Sequence, residues 1–564
     1  MNKIFLLSLL FSCIFAENIS QREFKNEQER IKHLQDNTPK AEISLQSDIQ
    51  ESADLIILNE NPCFEIDEII LDDKGNLKFQ KYLAKVIDKL KFKSGVCLGE
   101  KSINAIIRAM NNEIIKNGYI TSLINIKPLN LKSRRIEFEL NLGMIDKISI
   151  NNEDSNRTKS MLFSAFGELD HNKTLSIRNL EQALENISNA TFGDVGISLS
   201  PSNKLNYTDV LITRSSKALP ISLKLNMDNY GSKQTGRHQA SIGVSAANLI
   251  GFNEIYTLSL GRDFFNKERT KISENSKKGS SHNHYINFSI PFGYFNLNYT
   301  NSGYYYNQII PGINSLYEYS GRSRVQNLGL GYMLHRDQSM KLSTFLNLFK
   351  RNSKNYIESY ELTNQRRVTS GYEIGIRSNL NMPNSALTAQ ISYKRGTGML
   401  GAIPAPEQKI NEGTSRMKIW LLDLGYKHRF KSLTYDTALH AQYNKTPLTI
   451  QDRLSIGGIY SVRGFSGQMS LVGQKGIYMR NTLSYGYTNK HLVYLALDAG
   501  AVYSTNSAHI SSNKLVGSGI GLKGNFDLLG QTLSYDLLAS TPIYKPEYFK
   551  TDKVHLGFSV AAGF

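Results

Sequence analysis

From residue 221 to its last residue, Phe564, the chain alternates apolar and polar side chains with a period of two, in segments of varying regularity. In ISLKLNMD (221–228), Ile221, Leu223, Leu225 and Met227 share one face of an extended strand, and Ser222, Lys224, Asn226 and Asp228 share the other. The pattern recurs in YINFSIPF (285–292), LSTFLNLF (342–349), LTYDTALHAQY (433–443), LVGSGIGLKG (515–524) and TLSYDLLA (532–539). It ends in VHLGFSVAAGF, which puts Val554, Leu556, Phe558, Val560, Ala562 and Phe564 on one face. Short turns near 251–253, 292–295, 381–384 and 488–490 are interleaved with long polar loops around 264–283, 304–324, 350–370, 396–415 and 445–475. Strands with one apolar and one wet face, joined by short turns at one end and long loops at the other, predict a transmembrane antiparallel β-barrel over 217–564. A soluble β-sandwich would not keep that asymmetry over such a length or close on a C-terminal aromatic, and Phe564 is read as the barrel's C-terminal signal. We count about sixteen strands, enough to enclose an aqueous lumen.

The start of the chain sets the compartment. Residues 1–16, MNKIFLLSLLFSCIFA, join a basic start (Lys3) to an apolar run and a small residue (Ala16), which is the form of a secretory signal peptide and is too short to span a bilayer. A lipoprotein reading through Cys13 is weaker, because bulky Phe11 stands where such signals carry a smaller residue. Removing the leader leaves Cys63 and Cys97. An even pair in an oxidising compartment suggests one disulfide, the alternative being two separate buried thiols. The net charge of +17 is scattered, much of it in loops such as KERTKISENSKK (267–278), so it reads as solvated surface and not as a nucleic-acid patch.

No catalytic constellation, metal site or cofactor site is expected. CxxC pairs, HExxH, GxSxG and a Walker loop are absent, and the GxGxxG match in GIGLKG (519–524) lies inside an alternating strand and opens no helix. Small residues on a crowded barrel wall explain it better, so the chain is read as a non-enzyme.

Upstream of the barrel the sequence is mixed α and β. Residues 62–141 predict strand (CFEIDEIIL), helix (KFQKYLAKVIDKL), helix (EKSINAIIRAMNNEIIKNG), strand (YITSLINI) and strand (RRIEFEL). In the second helix Ile103, Ile106, Ile107, Met110 and Ile114 share a face, and Gly118 is placed to end it. The order repeats over 142–216, with Ile177, Leu180, Leu184 and Ile187 at helical spacing in LSIRNLEQALENI. Repeated βααββ modules before a pore suit docking of an extended partner by β-augmentation. Ahead of them, 17–36 forms a charged helix with little apolar face, followed by a polar linker over 37–61.

These parts, in this order, resemble the TpsB outer-membrane transporters of two-partner secretion (the ShlB/FhaC/HecB type). NPCFEI (61–66), GVCLGEKSI (95–103) and KNGYITS (116–122) are similar to the family's first POTRA domain with its cysteine pair, and LSIRNLEQALENI (175–187) to the helix of its second. SIGGIYSVRGFSG (455–467), GQKGIYMRN (473–481), LALDAG (495–500) and ASTPIYKPEYF (539–549) resemble its barrel motifs.

The resemblance implies that the loop 445–475, carrying Val462, Arg463, Gly464 and Phe465, folds back into the lumen and that Arg463 pairs with Asp498 on the inner wall, near Gly500. Strand parity in VYLALDAG agrees, because it separates Tyr494, Ala496, Asp498 and Gly500 from the purely apolar face of Val493, Leu495, Leu497 and Ala499. The family usually carries an aromatic residue two positions before the acid, where this chain has Ala496. The resemblance also implies that residues 17–36 plug the barrel. The function it implies is an outer-membrane pore that recognises an unfolded, β-rich TpsA-type exoprotein through periplasmic POTRA domains and exports it without ATP. Other expected partners are the outer-membrane bilayer and, during biogenesis, periplasmic chaperones and the barrel-assembly machinery; nucleic acid is not expected. A barrel-assembly insertase or a solute porin is the alternative.

Overall fold

The computed structural model describes residues 24, 27–31, 41–45, 60–75, 79–128, 133–151, 153, 155–168, 173–215, 220–264, 279–311, 316–504, 513–528 and 531–564. The expected leader, 1–16, lies outside the described residues, as do most of the 17–36 segment and most of the 37–61 linker.

In the first module a parallel pairing of Glu68–Asp72 with Arg135–Asn141, flanked by Leu123–Ile126, makes a three-stranded sheet covered by helices Gln80–Leu90 and Glu100–Lys116. Ile103, Ile106, Met110 and Ile114 bury the helix stripe against Ile136, Phe138 and Leu140 of the sheet. Ile107 is only partly buried at the edge of that core. Gly118, at φ 93°, turns the chain out of the helix end, as only glycine does without strain. The helix start has no side-chain cap of its own; Glu60, from the end of the linker, accepts hydrogen bonds from the Lys101 and Ser102 amides at 2.8 Å each. The expected single strand over CFEIDEIIL is in fact two. Phe64–Ile66 pairs with Val96–Leu98, and only Glu68–Asp72 joins the main sheet. The reason is local: the Asp67 amide donates to the Arg134 carbonyl, and a Cys63–Cys97 disulfide holds the first piece against the 96–98 strand.

The second module repeats the plan with strands Met144–Ile150, Val195–Pro201 and Tyr207–Arg214 and helices Asn156–Phe166 and Ile177–Asn189. Ile177, Leu180, Leu184 and Ile187 are all buried.

Sixteen antiparallel strands, from Ile221–Asp228 to His555–Gly563, then close into a barrel. Closure is made by the last strand on the first: Ser559 to Gly563 pair with Asp228 to Lys224, and the Phe564 and Leu223 amides donate to each other's carbonyls at 2.8 and 3.1 Å. Outward-facing Leu225, Leu258, Leu328, Leu348, Leu495, Leu497 and Leu522 are exposed, which is the lipid-facing half of the alternation.

Two stretches expected as long loops are largely strand. Phe295–Pro311 and Leu316–Arg336 carry the barrel wall through most of 304–324, and Met340–Ile357 with Arg367–Met382 does so through much of 350–370. Above the membrane both faces of a strand meet water or a polar lumen, so the hydrophobic alternation disappears although the backbone ladder continues.

Candidate functional site

The loop between strands Leu433–Asn444 and Lys475–Gly486 enters the barrel as a short hairpin, Leu454–Ile456 against Leu471–Gly473. Its tip carries Arg463. The Arg463 Nε donates to Asp498 Oδ2 and Nη2 to Asp498 Oδ1, both at 2.7 Å, in a fork-to-fork pair. The Arg463 backbone amide also donates to Oδ2, at 2.9 Å, and the Asn481 amide to Oδ1, at 3.0 Å. Nη2 continues to the Asn481 carbonyl and the Thr482 hydroxyl, each at 2.9 Å. Asp498 is 0% exposed and Arg463 6%, so each charge is taken out of water and compensated by the other, with the Asn481 and Thr482 contacts completing the site.

The loop can come this close because the wall is small there. A Cβ on Gly517 would stand 1.9 Å from the Arg463 carbonyl oxygen, and one on Gly464, which has φ 110°, would stand 2.6 Å from the Thr541 carbonyl oxygen. Gly500 leaves room for Val462 in the same way. Phe465 packs edge-on against Phe549 at 5.5 Å, within a buried cluster that includes Val462, Leu454, Ile456 and Leu515. Ala496 is buried beside Tyr494 and Leu538, with Ile459 of the loop packed on them, so a loop residue and a tyrosine of the wall occupy that region.

Sequence reasoning missed a second anchor on the same loop. Arg351 Nη2, on the wall strand Met340–Ile357, donates to Asp452 Oδ1 at 2.9 Å, and the Thr449 hydroxyl donates to Asp452 Oδ2 at 2.9 Å. In this pair the loop supplies the acid and the wall the arginine, the reverse of Arg463–Asp498. The two wall strands, Met340–Ile357 and His491–Tyr503, lie six positions apart in the barrel order.

The described part of the 17–36 segment, residue 24 and residues 27–31, is helical and lies in the lumen. Phe24 is buried among Tyr304, Tyr306 and Tyr319, with ring centroids 6.1 Å from Tyr304 and 5.6 Å from Tyr306. Arg30 Nη2 donates to Asp228 Oδ2 at 2.9 Å, next to the closing seam, where Asp228 pairs with Ser559. Neither Arg30 nor Asp228 is marked as an anchor by the sequence; an acid ending the polar row of Ser222, Lys224 and Asn226 was the available signal.

The periplasmic end is identified by the second module, which packs directly on the barrel's short turns. The Gly293 amide donates to the Ser164 carbonyl at 2.8 Å, and Asn186 Nδ2 to the Gly293 carbonyl at 2.9 Å. Asn253 Nδ2 reaches the Met161 carbonyl and Ser164 Oγ at 2.8 and 2.7 Å, and Phe163 meets Phe292 edge-on at 4.9 Å. At the next turn Arg336 Nη1 and Nη2 donate to the two Glu185 oxygens at 2.7 Å each, its Nε reaches Glu181 at 3.1 Å, and Lys341 Nζ reaches Glu185 at 2.6 Å.

The described linker residues lie on the same helix. The Ala41, Ile43 and Leu45 amides donate to Asn189, Glu185 and Glu181 at 2.8, 2.9 and 2.8 Å. Acceptors four residues apart on a helix recur about every 6 Å and alternate amides of an extended chain about every 6.6 Å, so the two ladders match. Burial opposes ionisation of Glu185, but the hydrogen bonds from Arg336 and Lys341 outweigh it and hold the carboxyl below its ordinary value. The Glu181–Glu185 spacing was visible in the sequence; that a barrel turn would supply the arginine was not.

A family model described as haemolysin secretion/activation protein ShlB/FhaC/HecB matches residues 206–524, a ShlB-type POTRA domain model matches 64–142, and a second POTRA model matches 144–201. The chain is 27% identical over 525 residues to the outer membrane transporter CdiB-2 of Burkholderia pseudomallei, covering 90% of this chain and 88% of that one. It is 24% identical over 396 residues to the hemolysin transporter protein ShlB of Serratia marcescens, covering 69% and 68%. Its fold is similar to the solved structure of CdiB from Acinetobacter baumannii, with TM-score 0.82 and 25% identity over 97% of this chain and 99% of that one.

Proposed function

The chain belongs to the haemolysin secretion/activation protein ShlB/FhaC/HecB family, and from that membership we propose how it works as the outer-membrane pore of a two-partner secretion system. It is an outer-membrane transporter that exports an exoprotein, with its two POTRA domains in the periplasm. Cargo arrives extended and is captured by the edge strands and grooves of residues 62–216, where main-chain hydrogen bonding gives affinity and side-chain pockets give selectivity. It then enters a lumen that the helical residues around Phe24 and Arg30 and the 445–475 loop obstruct at rest.

The observation that carries this reading is the way both obstructions are held. The helix is pinned by Arg30–Asp228 and an aromatic nest, and the loop by Arg463–Asp498 and Arg351–Asp452. The ion pairs can be exchanged for water or for a passing chain, while the Phe24 nest and the loop's Val462–Phe465 cluster must be uncovered as each obstruction leaves, a cost that holds both in place at rest. No nucleotide enters the scheme; folding of the exoprotein at the cell surface biases the passage outward. Insertion of the barrel itself calls for periplasmic chaperones and the barrel-assembly machinery, for which Phe564 is the recognition signal.

The experiment is secretion of the cognate exoprotein from cells expressing a chain that lacks residues 62–216 but still forms a heat-modifiable, membrane-inserted barrel. Loss of both secretion and cargo binding is expected. Export that persists would move recognition into the barrel.

A further inference from the structure

We propose that the outer wall of the barrel, at the cell-surface end of four neighbouring strands from Ile255–Asp263 to Leu316–Arg336 and their continuation into Met340–Ile357, binds the phosphate groups of the outer-leaflet glycolipid. The direction of the barrel is set by the second POTRA domain on the turns at 248–254, 292–295 and 336–341, so the opposite ends of these strands face the cell surface. Leu260, Ile286, Leu328 and Leu348 point outward into lipid and are exposed. Moving by two residues at a time from each toward the surface keeps the same face and reaches Arg262, His284 and His282, Arg324 and Arg322, and Lys350.

Strand register turns these into contiguous rows. Arg262 pairs with His282, His282 with Tyr305, and Tyr305 with Arg322; one step nearer the membrane, His284 and Arg324 flank Gly303. With strands about 4.8 Å apart, the upper row is roughly 15 Å of cationic and aromatic wall. The wall is built flat. His282 stacks on Tyr305 at 4.7 Å and 9°, and the His284 ring lies where a side chain at residue 303 would stand, 2.2 Å from its Cβ position.

Among the described residues no carboxylate pairs with Arg262, Arg322, Arg324 or Lys350; Arg324 Nε donates to Asn301 Oδ1 at 2.9 Å, and Arg322 lies over the Tyr356 ring at 5.4 Å. Elsewhere around the same end outward cations recur singly or in pairs, Arg395 opposite Lys418 and Lys475 opposite Tyr503, without the four-strand row of Arg262, His282, Tyr305 and Arg322. A contiguous row of guanidinium forks with no carboxylate partner among the described residues, continuous with the lipid-facing belt and just above it, meets the headgroup layer of the outer leaflet, where phosphate is the anion that such forks grip in pairs.

The test is native mass spectrometry of the full chain in detergent, titrated with bisphosphorylated lipid A and with the dephosphorylated glycolipid, with inorganic phosphate as competitor. The wild type is expected to hold the phosphorylated lipid at least about tenfold more tightly than the dephosphorylated one. That preference is expected to vanish in R262Q/R322Q/R324Q and to persist in R262K/R322K/R324K, each checked for heat-modifiable mobility. Equal retention of both lipids by the wild type, or an unchanged preference in the glutamine variant, would overturn the proposal. Displacement by millimolar inorganic phosphate would reassign the site to free anions.

Discussion

Arg463 and Asp498 meet as two parallel hydrogen bonds of 2.7 Å inside the barrel, and each supplies the other's counter-charge. Removing one partner of a buried pair leaves a lone charge at a cost of about 3–5 kcal/mol, less where lumen water reaches it. Arg463→Ala and Asp498→Ala are therefore expected to reduce secretion alike while the barrel still inserts. The double variant should be little worse than either single one, because all three break the same interaction. Strictly additive defects would separate the two residues, and near-normal secretion by Arg463→Ala would reduce the arginine to an ordinary loop residue.

The second anchor gives a test by charge exchange. Arg351→Asp and Asp452→Arg should each loosen the loop, and combining them should restore part of what each loses, because the pair is re-formed with its ends swapped. The readout is cross-linking efficiency between a loop cysteine and the wall, together with secretion. Absence of any recovery in the combined variant would show that the contact does not position the loop.

Acid should loosen the POTRA–barrel interface. The Glu185 carboxyl is held below its ordinary value, so its contribution is complete above the unfolded-state pKa of about 4.3 and is lost as the pH falls through the depressed folded value. Protease accessibility of the Ala165 and Gly293 contact region should rise only below that ordinary value, and Glu185→Gln should remove this acid-dependent component. An acid profile identical in wild type and Glu185→Gln would contradict the assignment.

The Cys63–Cys97 bond closes a segment with a sequence separation of 34. In the chain-entropy account this stabilises the first module by about 3–4 kcal/mol. Reduction or Cys63→Ser should lower the denaturant midpoint of that module's transition within the full chain and leave the barrel transition unchanged. Two free thiols in protein purified without reductant would refute the bond.

Much of this was legible in the sequence for physical reasons. Val493 to Gly500 carry their sidedness in alternate residues, so strand parity alone assigns Asp498 to the lumen. Gly464 and Gly467, both at positive φ, are the kind of residue that such a tight loop tip requires. What stayed hidden depends on distance in the chain. Arg30 finds Asp228, Arg351 finds Asp452 and Arg336 finds Glu185 across separations of 198, 101 and 151 residues, and no local pattern encodes which arginine meets which acid. The upper strands around Tyr304 to Arg324 were hidden differently: both faces are polar or aromatic there, so the period that reveals a strand is missing while the hydrogen-bond ladder persists.

The most direct test of the central claim, that the exoprotein passes through the lumen once the plug gives way, is secretion from a chain whose plug is tethered. Cysteines replacing Arg30 and Asp228, joined by a short bifunctional thiol reagent with a reducible spacer, hold the helix against the wall beside the seam. Secretion should stop while the tether is intact and resume when the spacer is cleaved, with the uncross-linked double variant secreting throughout. Undiminished secretion with the tether intact would contradict the account, because cargo would then be leaving by a route that the plug does not block.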